Sequence, residues 1–168
     1  MLITKLGSVR RELLEVIAPL TDDALQHLPE AGGPSIAQIL QHLAETERSV
    51  AQLILGAVKG ASERAAEYDL AQMRAAIPTL ALETEAWGVP VTPDTPALTK
   101  AGLIRALEES RFRYLQRVFN ETHEATLLQK STVHPVFGLI SLKNLVDFVW
   151  LHEQYHVEQI RALQWTAA

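Results

Sequence analysis

Apolar residues recur along this chain at alternating intervals of three and four positions, and this period constrains the fold more than any other feature of the sequence. In the first segment they are Leu2, Leu6, Val9, Leu13, Val16 and Leu20. Residues with this spacing lie on one face of an α-helix and bury that face against other helices. No segment shows the alternation typical of a strand, and no internal repeat is visible, so we predict an all-α protein.

Three later segments repeat the helical period and complete a set of four long amphipathic helices. Four such helices in a chain of 168 residues predict a four-helix bundle formed by a single domain, residues 1–168. The second helix is predicted to begin after Ser35, an N-cap with Gln38 at the capping-box position, and to end at Gly56 or Gly60. The third is predicted from about Thr99 to Asn120. The fourth is predicted to begin after its N-cap, Ser141.

Two long connections separate the predicted helices. Residues 61–98 include a candidate short helix around Ala65 to Ala76, but Pro78 and the later prolines indicate that most of this stretch is a connection. Because a connection of that length is unusual inside a domain, we expect it to wrap the bundle or to help build a site or an interface. Residues 121–138 form the second connection, which leads into the fourth helix.

Charge and composition exclude several classes of protein. A net charge of −5 argues against a nucleic-acid binder, which usually carries a basic face. No apolar stretch is long enough to span a membrane, and Arg10, Arg11 and Glu12 stand where a signal peptide would need an apolar core. We therefore expect a cytoplasmic protein. The absence of cysteine excludes disulfides, thiolate nucleophiles and cysteine-zinc sites.

Two histidines lie inside the stripe of the fourth helix, which comprises Leu142, Leu145, Val149, His152, His156, Gln159 and Leu163. Because His152 and His156 are four residues apart, they lie on one face about 6 Å apart along the axis, where one metal ion could bind a nitrogen of each. Two buried imidazoles without partners would each cost about 1–3 kcal/mol, and a shared ion would remove that cost. The alternative is a pair of packed, hydrogen-bonded core histidines.

Two other metal sites are compatible with parts of this segment. His152, Glu153 and His156 match H-E-x-x-H, in which zinc proteases use the glutamate as general base, but the glycine and third histidine that extend the motif in metzincins are absent. A di-iron bundle needs Glu-x-x-His on two helices, and Glu153 with His156 is the one occurrence here. Neither alternative accounts well for the segment.

The residues alone do not identify a third ligand. Of the other histidines, His42 lies on a long helix, whereas His27, His123 and His134 fall in predicted connections. Periodicity places His42 at the border between the apolar stripe and a polar flank, where a solvated histidine is the simpler interpretation.

Three stretches resemble, in this order, the DinB/YfiT-like family of proposed metalloenzymes: LTDDALQHLPEAGGPSIAQILQHLAETE, TKAGLIRALEESRFRYL and HPVFGLISLKNLVDFVWLHEQYHVEQI. The most telling parts are the Ser-initiated helix that reaches His42 and the terminal H-x-x-x-H-x-x-Q-I. The resemblance covers nearly the whole chain. It implies a four-helix bundle with a mirror variant of up-and-down topology, often dimeric, that binds one divalent metal ion. Carried over to this chain, the implied ligands are His42, His152 and His156.

The resemblance also implies what such a site does. Three protein nitrogens with open positions are typical of a catalytic metal site rather than a structural one. Family members include thiol-dependent S-transferases and isomerases, with bacillithiol, mycothiol or glutathione as cosubstrate, and proteins linked to hydrolysis of small molecules. We expect zinc or nickel, with iron as a further candidate, in a homodimer that binds neither nucleic acid nor membranes. The alternative is a non-catalytic bundle that binds a metal or a ligand, as in a stress-related binding protein.

Further polar residues are candidates for roles near the ion. Glu153 is a candidate general base or hydrogen-bond partner of a ligand, and Glu45 on the flank of His42 is a second candidate; an exposed glutamate is the alternative for both. Gln159 continues the stripe and is a candidate hydrogen-bond partner of a ligand histidine, with simple capping of the core as the alternative. The third helix is moderately positive, and we interpret its arginines as a solvated face: Arg105, Arg111, Arg113 and Arg117.

Overall fold

The computed structural model describes residues 1–60, 62–83 and 98–167. The elements in chain order are α1 (Leu2–Ile17), α2 (Asp22–Gln26), α3 (Ile36–Val58), α4 (Leu70–Glu83), α5 (Lys100–Glu109), a π-helical turn (Ser110–Leu115), α6 (Gln116–Glu121), α7 (Glu124–Gln129), β1 (Ser131–His134), β2 (Gly138–Ser141) and α8 (Leu142–Ala167). Because α5, the π-helical turn and α6 are continuous, they form one long helix. With α1, α3 and α8 this helix completes the predicted four-helix bundle.

The last helix, α8, occupies the centre of the packing. It contacts α1, α3, α4 and α7, while α3 packs against α8, α5 and the π-helical turn. Residues outside the predicted stripe of α8 are therefore buried as well, namely Val146, Trp150, Val157 and Ile160. Side chains in the middle of α8 are thus shielded from water over most of the helix circumference.

Polar caps fix the starts of three long helices. The Ser35 hydroxyl accepts a bond from the Gln38 backbone N–H at 3.1 Å and the Gln38 side chain accepts one from the Ser35 N–H at 2.8 Å, which confirms the capping box. Thr99 and Ser141 each accept an equivalent bond from the backbone N–H three residues on. In the described part of the chain no helix has both the length and the hydropathy needed to cross a membrane.

The first connection contains a longer and later helix than the sequence predicts. The helix spans Leu70–Glu83 and runs through Pro78, where the prediction ended it near Ala76. Proline removes one helical hydrogen bond, but Met73 and Ile77 are fully buried against the core, and that burial offsets the loss. Residues 84–97, with the glycine and prolines on which the rest of that prediction rests, lie outside the described residues.

The second connection contains a short antiparallel hairpin, so the prediction of no strand was wrong. In this hairpin Ser131 pairs with Ser141 and His134 pairs with Gly138. Gly138 adopts a φ of +70°, a left-handed conformation that glycine tolerates, and His134 Nδ1 accepts two backbone N–H bonds from the turn. Strands of four residues are too short to show a clear alternation in the sequence.

Candidate metal centre

Three histidine rings converge on one point between α3 and α8. The Nε2 atom of His152 lies 3.0 Å from Nε2 of His42 and 3.1 Å from Nε2 of His156. One nitrogen from each ring lies within 4.8 Å of both others. The structure therefore brings together the three residues that the family resemblance implied as ligands.

The two helices place these rings in different ways. His152 and His156 lie on successive turns of α8, so the helix itself sets their separation. His42 comes from α3, 110 residues away in sequence, and reaches them because α3 packs against α8. His156 is fully buried, His152 is 7% exposed, and His42 is half-buried. The edge of the cluster nearest to solvent is thus the α3 side.

The spacing of the nitrogens fits a single divalent ion. With metal–nitrogen bonds of about 2.0–2.1 Å, two ligands lie about 3.3 Å apart at a tetrahedral angle and about 2.9 Å apart at a right angle. The observed distances of 3.0 and 3.1 Å fall between these values. These two spacings therefore suit nitrogens that share one ion.

The protonation of the rings also suits a metal. Burial lowers the pKa of His152 well below 6.5, and the neighbouring His156 and His42 lower it further. The pKa of His156 falls to about 4, mainly through burial, although its bond to Gln159 works in the opposite direction. Both rings are therefore neutral at neutral pH, which is the form that donates a lone pair to a metal.

The amide of Gln159 determines which nitrogen of His156 faces the cluster. Its Oε1 atom lies 2.7 Å from Nδ1 of His156 and accepts the proton there, so that Nε2 presents a lone pair towards His152. The single nitrogen Nε2 of His152 lies within bonding distance of two other ring nitrogens. One ring proton can satisfy one of these two contacts, whereas one cation could accept a lone pair from all three rings.

Aromatic rings surround the cluster on the side of the hairpin. Phe148 stacks on His152 with centroids 5.3 Å apart, and Phe137 of the hairpin turn packs against Phe148 at 5.9 Å. His134 packs against Phe137 at 4.7 Å and is not part of the histidine cluster. Phe148 of α8, with Phe137 of the hairpin packed against it, therefore forms an apolar wall beside the site that restricts the access of water.

A cation from α4 lies close to the cluster. Arg74 donates to Glu158 at 2.6 Å and lies over the ring of Tyr155, 5.1 Å from its centroid. The Tyr155 ring in turn packs edge-on against His156 at 5.0 Å. The charge of Arg74 is one of the minor influences that lower the pKa of His156. The cation close to the cluster is thus itself paired with a carboxylate.

The structure does not bring either candidate glutamate into the histidine cluster. Glu153 is buried, and its carboxylate accepts bonds from Arg10 at 2.6 Å and from Arg111 at 3.1 Å. Glu45 is exposed and lines a groove of about 190 Å³ between α3 and α5. The interpretation of Arg111 as part of a solvated face was wrong, because its side chain is buried against Glu153 and Glu47.

Sequence reasoning missed this buried cluster of charges, although a signal was present. Glu47 follows Leu43 by four positions and precedes Val50 by three, so it lies on the apolar stripe of α3. Arg111 continues the spacing of Leu107 by four positions. Charges that interrupt an apolar stripe, with both signs represented, indicate a buried ion-pair cluster.

A mainly apolar cavity lies elsewhere in the bundle. It has a volume of about 440 Å³ between α1 and the long helix formed by α5, the π-helical turn and α6, and its lining includes Arg10 and Arg111. None of the three histidines lines it. We assign the candidate site to the histidines because their nitrogens converge there, whereas the lining of the cavity contains a single residue of a metal-ligating type, Glu108.

Comparison with known proteins identifies the family. The sequence matches the model of the DinB superfamily over residues 5–160, whereas no curated protein sequence matches it significantly. The fold is similar to that of YfiT from Bacillus subtilis, described as "a probable metal-dependent hydrolase with an unusual four-helix bundle topology", with a TM-score of 0.66 and 17% identity over 99% of this chain and 85% of YfiT. That identity supports likeness of fold alone. Because the family model matches nearly the whole sequence, the chain belongs to the DinB superfamily.

Proposed function

We propose that this protein is a metal-dependent enzyme in which His42, His152 and His156 bind one divalent ion and activate a small nucleophile. The observation that carries the proposal is the convergence of three ring nitrogens, with Nε2 of His152 at 3.0 and 3.1 Å from the other two. A set of three nitrogens leaves at least one position for a water or a substrate, as in catalytic zinc sites.

The ligand set favours activation of an anion-forming nucleophile. All three donors are histidines, and no carboxylate of the described residues joins them. A divalent ion held by neutral imidazoles would keep its full charge and lower the pKa of a water or a thiol that binds it. The ring of Phe148, which stacks on His152, limits screening of that charge by water.

Two reactions are compatible with this chemistry. Hydrolysis of a small molecule would use water as the nucleophile, and the description of YfiT as a probable metal-dependent hydrolase supports it. Transfer to a low-molecular-weight thiol would use the thiol as cosubstrate, which suits a chain without cysteine of its own. We place hydrolysis and thiol transfer together as one proposal, because each needs a nucleophile that is deprotonated at the same ion.

The first test is metal content of protein purified without a nickel column. We expect about one divalent ion per chain, no ion in the His152→Ala, His156→Ala double variant, and weaker binding in His42→Ala. His27→Ala and His123→Ala, both exposed in the structure, serve as matched controls and should keep the ion. Metal retained by the double variant at wild-type stoichiometry would contradict the site.

The second test separates the reactions. Metal-loaded protein is assayed with a panel of esters and amides, and in parallel its thermal stability is measured with bacillithiol, mycothiol and glutathione. Turnover that disappears in the double histidine variant supports hydrolysis, and stabilisation by one thiol that requires the ion supports transfer. If metal-loaded protein shows no turnover and binds none of the three thiols, the results favour a non-catalytic metal-binding bundle over an enzyme.

A further inference from the structure

A closed cluster of four charges lies in the core beside the candidate metal centre. Arg10 donates to Glu153 at 2.6 Å and to Glu47 at 2.7 Å, and Arg111 donates to Glu153 at 3.1 Å and also to Glu47. Each arginine thus binds both glutamates, and each glutamate binds both arginines. All four residues are buried. Although burial acts to lower it, attraction to Glu153 and Glu47 raises the pKa of Arg10. The formal charges of the two arginines and the two glutamates sum to zero.

The four charges come from the four long helices of the bundle. Arg10 lies on α1, Glu47 on α3, Arg111 in the π-helical turn and Glu153 on α8. Glu153 is adjacent in sequence to His152, and Glu47 lies five residues after His42, about 7.5 Å further along α3. The two helices that carry the histidines are therefore joined by ion pairs within about two turns of the rings.

Additional hydrogen bonds restrict the arrangement of the cluster. Arg10 also donates to the backbone carbonyl of Leu107 at 2.9 Å, and Arg111 donates to that of Leu6 at 3.0 Å. Ser110 donates to Glu47 at 2.9 Å. Each guanidinium group thus donates to two carboxylates and a backbone carbonyl at once. Because the group is planar and rigid, few other arrangements of these partners would keep all the bonds.

The π-helical turn is what orients Arg111 towards the cluster. Leu103, Leu107, Arg111 and Leu115 follow one another at intervals of four and are all buried. In a regular α-helix three successive steps of four would rotate the last residue by about 120° relative to the first, because each step exceeds a full turn by about 40°. The wider π-helical turn removes part of this drift and keeps Ser110 and Arg111 on the inner face.

We propose that the cluster of Arg10, Glu47, Arg111 and Glu153 fixes the position of α3 relative to α8 and thereby places His42 against His152 and His156. The proposal rests on the proposed metal site. His152 and His156 share a helix, so their separation does not depend on packing between helices. His42 does depend on it, and apolar side chains alone would allow α3 to shift along α8. Buried ion pairs exclude such shifts, because a shifted helix leaves charges unpaired in the core.

The test is a double-variant cycle on metal affinity in the full chain. A four-site variant (Arg10→Met, Glu47→Leu, Arg111→Met, Glu153→Leu) replaces the whole cluster with apolar side chains, which leaves no unpaired charge. The dissociation constant for zinc is measured by competition with a chromophoric chelator in wild type, His42→Ala, the four-site variant and their combination. We expect the four-site variant to bind zinc about 10–100-fold more weakly than wild type, as for other residues that orient ligands.

The combination decides between positioning and a general loss of structure. If the cluster acts through His42, adding His42→Ala to the four-site variant should weaken zinc binding by less than about threefold, because the contribution of His42 is already lost. Equal zinc affinity in wild type and the four-site variant would overturn the proposal. It would also be overturned if the losses of zinc affinity caused by His42→Ala and by the four-site change simply multiplied in the combination. The exposed pair of Glu12 and Arg161, which also joins α8 to α1, is the matched control, and Glu12→Leu, Arg161→Met should leave the affinity unchanged.

A metal-free measurement separates this proposal from the proposed function. Because the chain lacks cysteine, Gln52→Cys on α3 and Ala162→Cys on α8, both exposed, can carry spin labels without further changes. We expect a narrow distribution of distances between the two labels when the charge cluster is intact. In the four-site variant the same distribution should be broader or shifted. An unchanged distribution would overturn the positioning role even if metal binding fails throughout. If the four-site variant does not fold, Arg111→Lys, which keeps the charge and loses the planar fork, takes its place in both measurements.

Discussion

Gln159 is the residue on which the orientation of His156 depends. Its Oε1 lies 2.7 Å from Nδ1 of His156 and leaves Nε2 facing the other two rings. A partner of this kind fixes the tautomer and the ring angle of a ligand histidine. Its role follows from a single distance, so a single substitution tests it.

We predict that Gln159→Leu weakens zinc binding about 10–100-fold, because the His156 ring loses the acceptor that orients it. Gln159→Glu should keep or strengthen binding, since a carboxylate accepts the same proton. Gln164→Leu on the same helix removes a bond to the α1 carbonyl of Val16 and is the control for general effects on α8. Chelator competition gives the three affinities, and an equal loss in Gln164→Leu would contradict the assignment.

The lowered pKa of His156 predicts how the metal-free protein responds to acid. In the unfolded chain this histidine takes up its proton near pH 6.5, whereas in the folded protein it does so at about pH 4. Between these values the unfolded state binds more protons, so stability is full above about pH 6.5 and falls as the pH drops towards 4. A difference of this size corresponds to about 3 kcal/mol.

Urea denaturation of metal-free protein between pH 7 and pH 5 measures this loss. His156→Gln should lose less stability than wild type over the same range, because it has no proton to take up at that position. His27→Gln, at an exposed position, should follow wild type. If the free energy of unfolding falls equally with pH in wild type and His156→Gln, the ring is not held neutral by the fold.

At the scale of elements, the hairpin before α8 depends on one backbone conformation. Gly138 has a φ of +70°, which a residue with a Cβ adopts only under strain. We predict that Gly138→Ala destabilises the fold by about 1 kcal/mol. Gly56→Ala in α3, where an added Cβ meets nothing within 4 Å, should instead stabilise it by up to about 1 kcal/mol. Thermal denaturation of the two variants should shift in opposite directions, and a stabilised Gly138→Ala would contradict the argument.

The long helices and their caps could be predicted from the sequence because each depends on local information. The stripe of α1 and the capping box at Ser35 involve residues within a few turns of each other. The hairpin and the helix through Pro78 depend instead on packing against α8, which no local pattern reports. In the same way His152 and His156 could be paired by spacing alone, whereas His42 needed the family resemblance, because nothing local connects α3 to α8.

At the scale of the whole molecule, the buried cluster of charges joins all four long helices. Removal of one member leaves its partners charged and unpaired in the core. We therefore predict that Arg111→Met lowers the free energy of unfolding by about 3–5 kcal/mol. Replacement of all four charges by apolar residues should cost far less, within about 2 kcal/mol of wild type, because no charge is then left without a partner.

Denaturant titrations of Arg111→Met and the four-site variant test this ordering. A four-site variant less stable than the single variant would show that the cluster contributes net stability rather than specificity. Exposed Arg117, which pairs with Glu121 on the surface, is the control, and Arg117→Met should change stability by less than about 1 kcal/mol. The expected homodimer is a separate prediction, which sedimentation of the metal-loaded protein measures.

His42 and His152 are separated by 110 residues of chain. An ion bound to both would close that loop as a covalent bridge does, in a protein that has no cysteine with which to form one. Such a bridge opens whenever the ion leaves, so the resistance of the fold to heat and to proteolysis would follow the local supply of metal. The same three rings would then form a reversible cross-link between α3 and α8 as well as a site for chemistry.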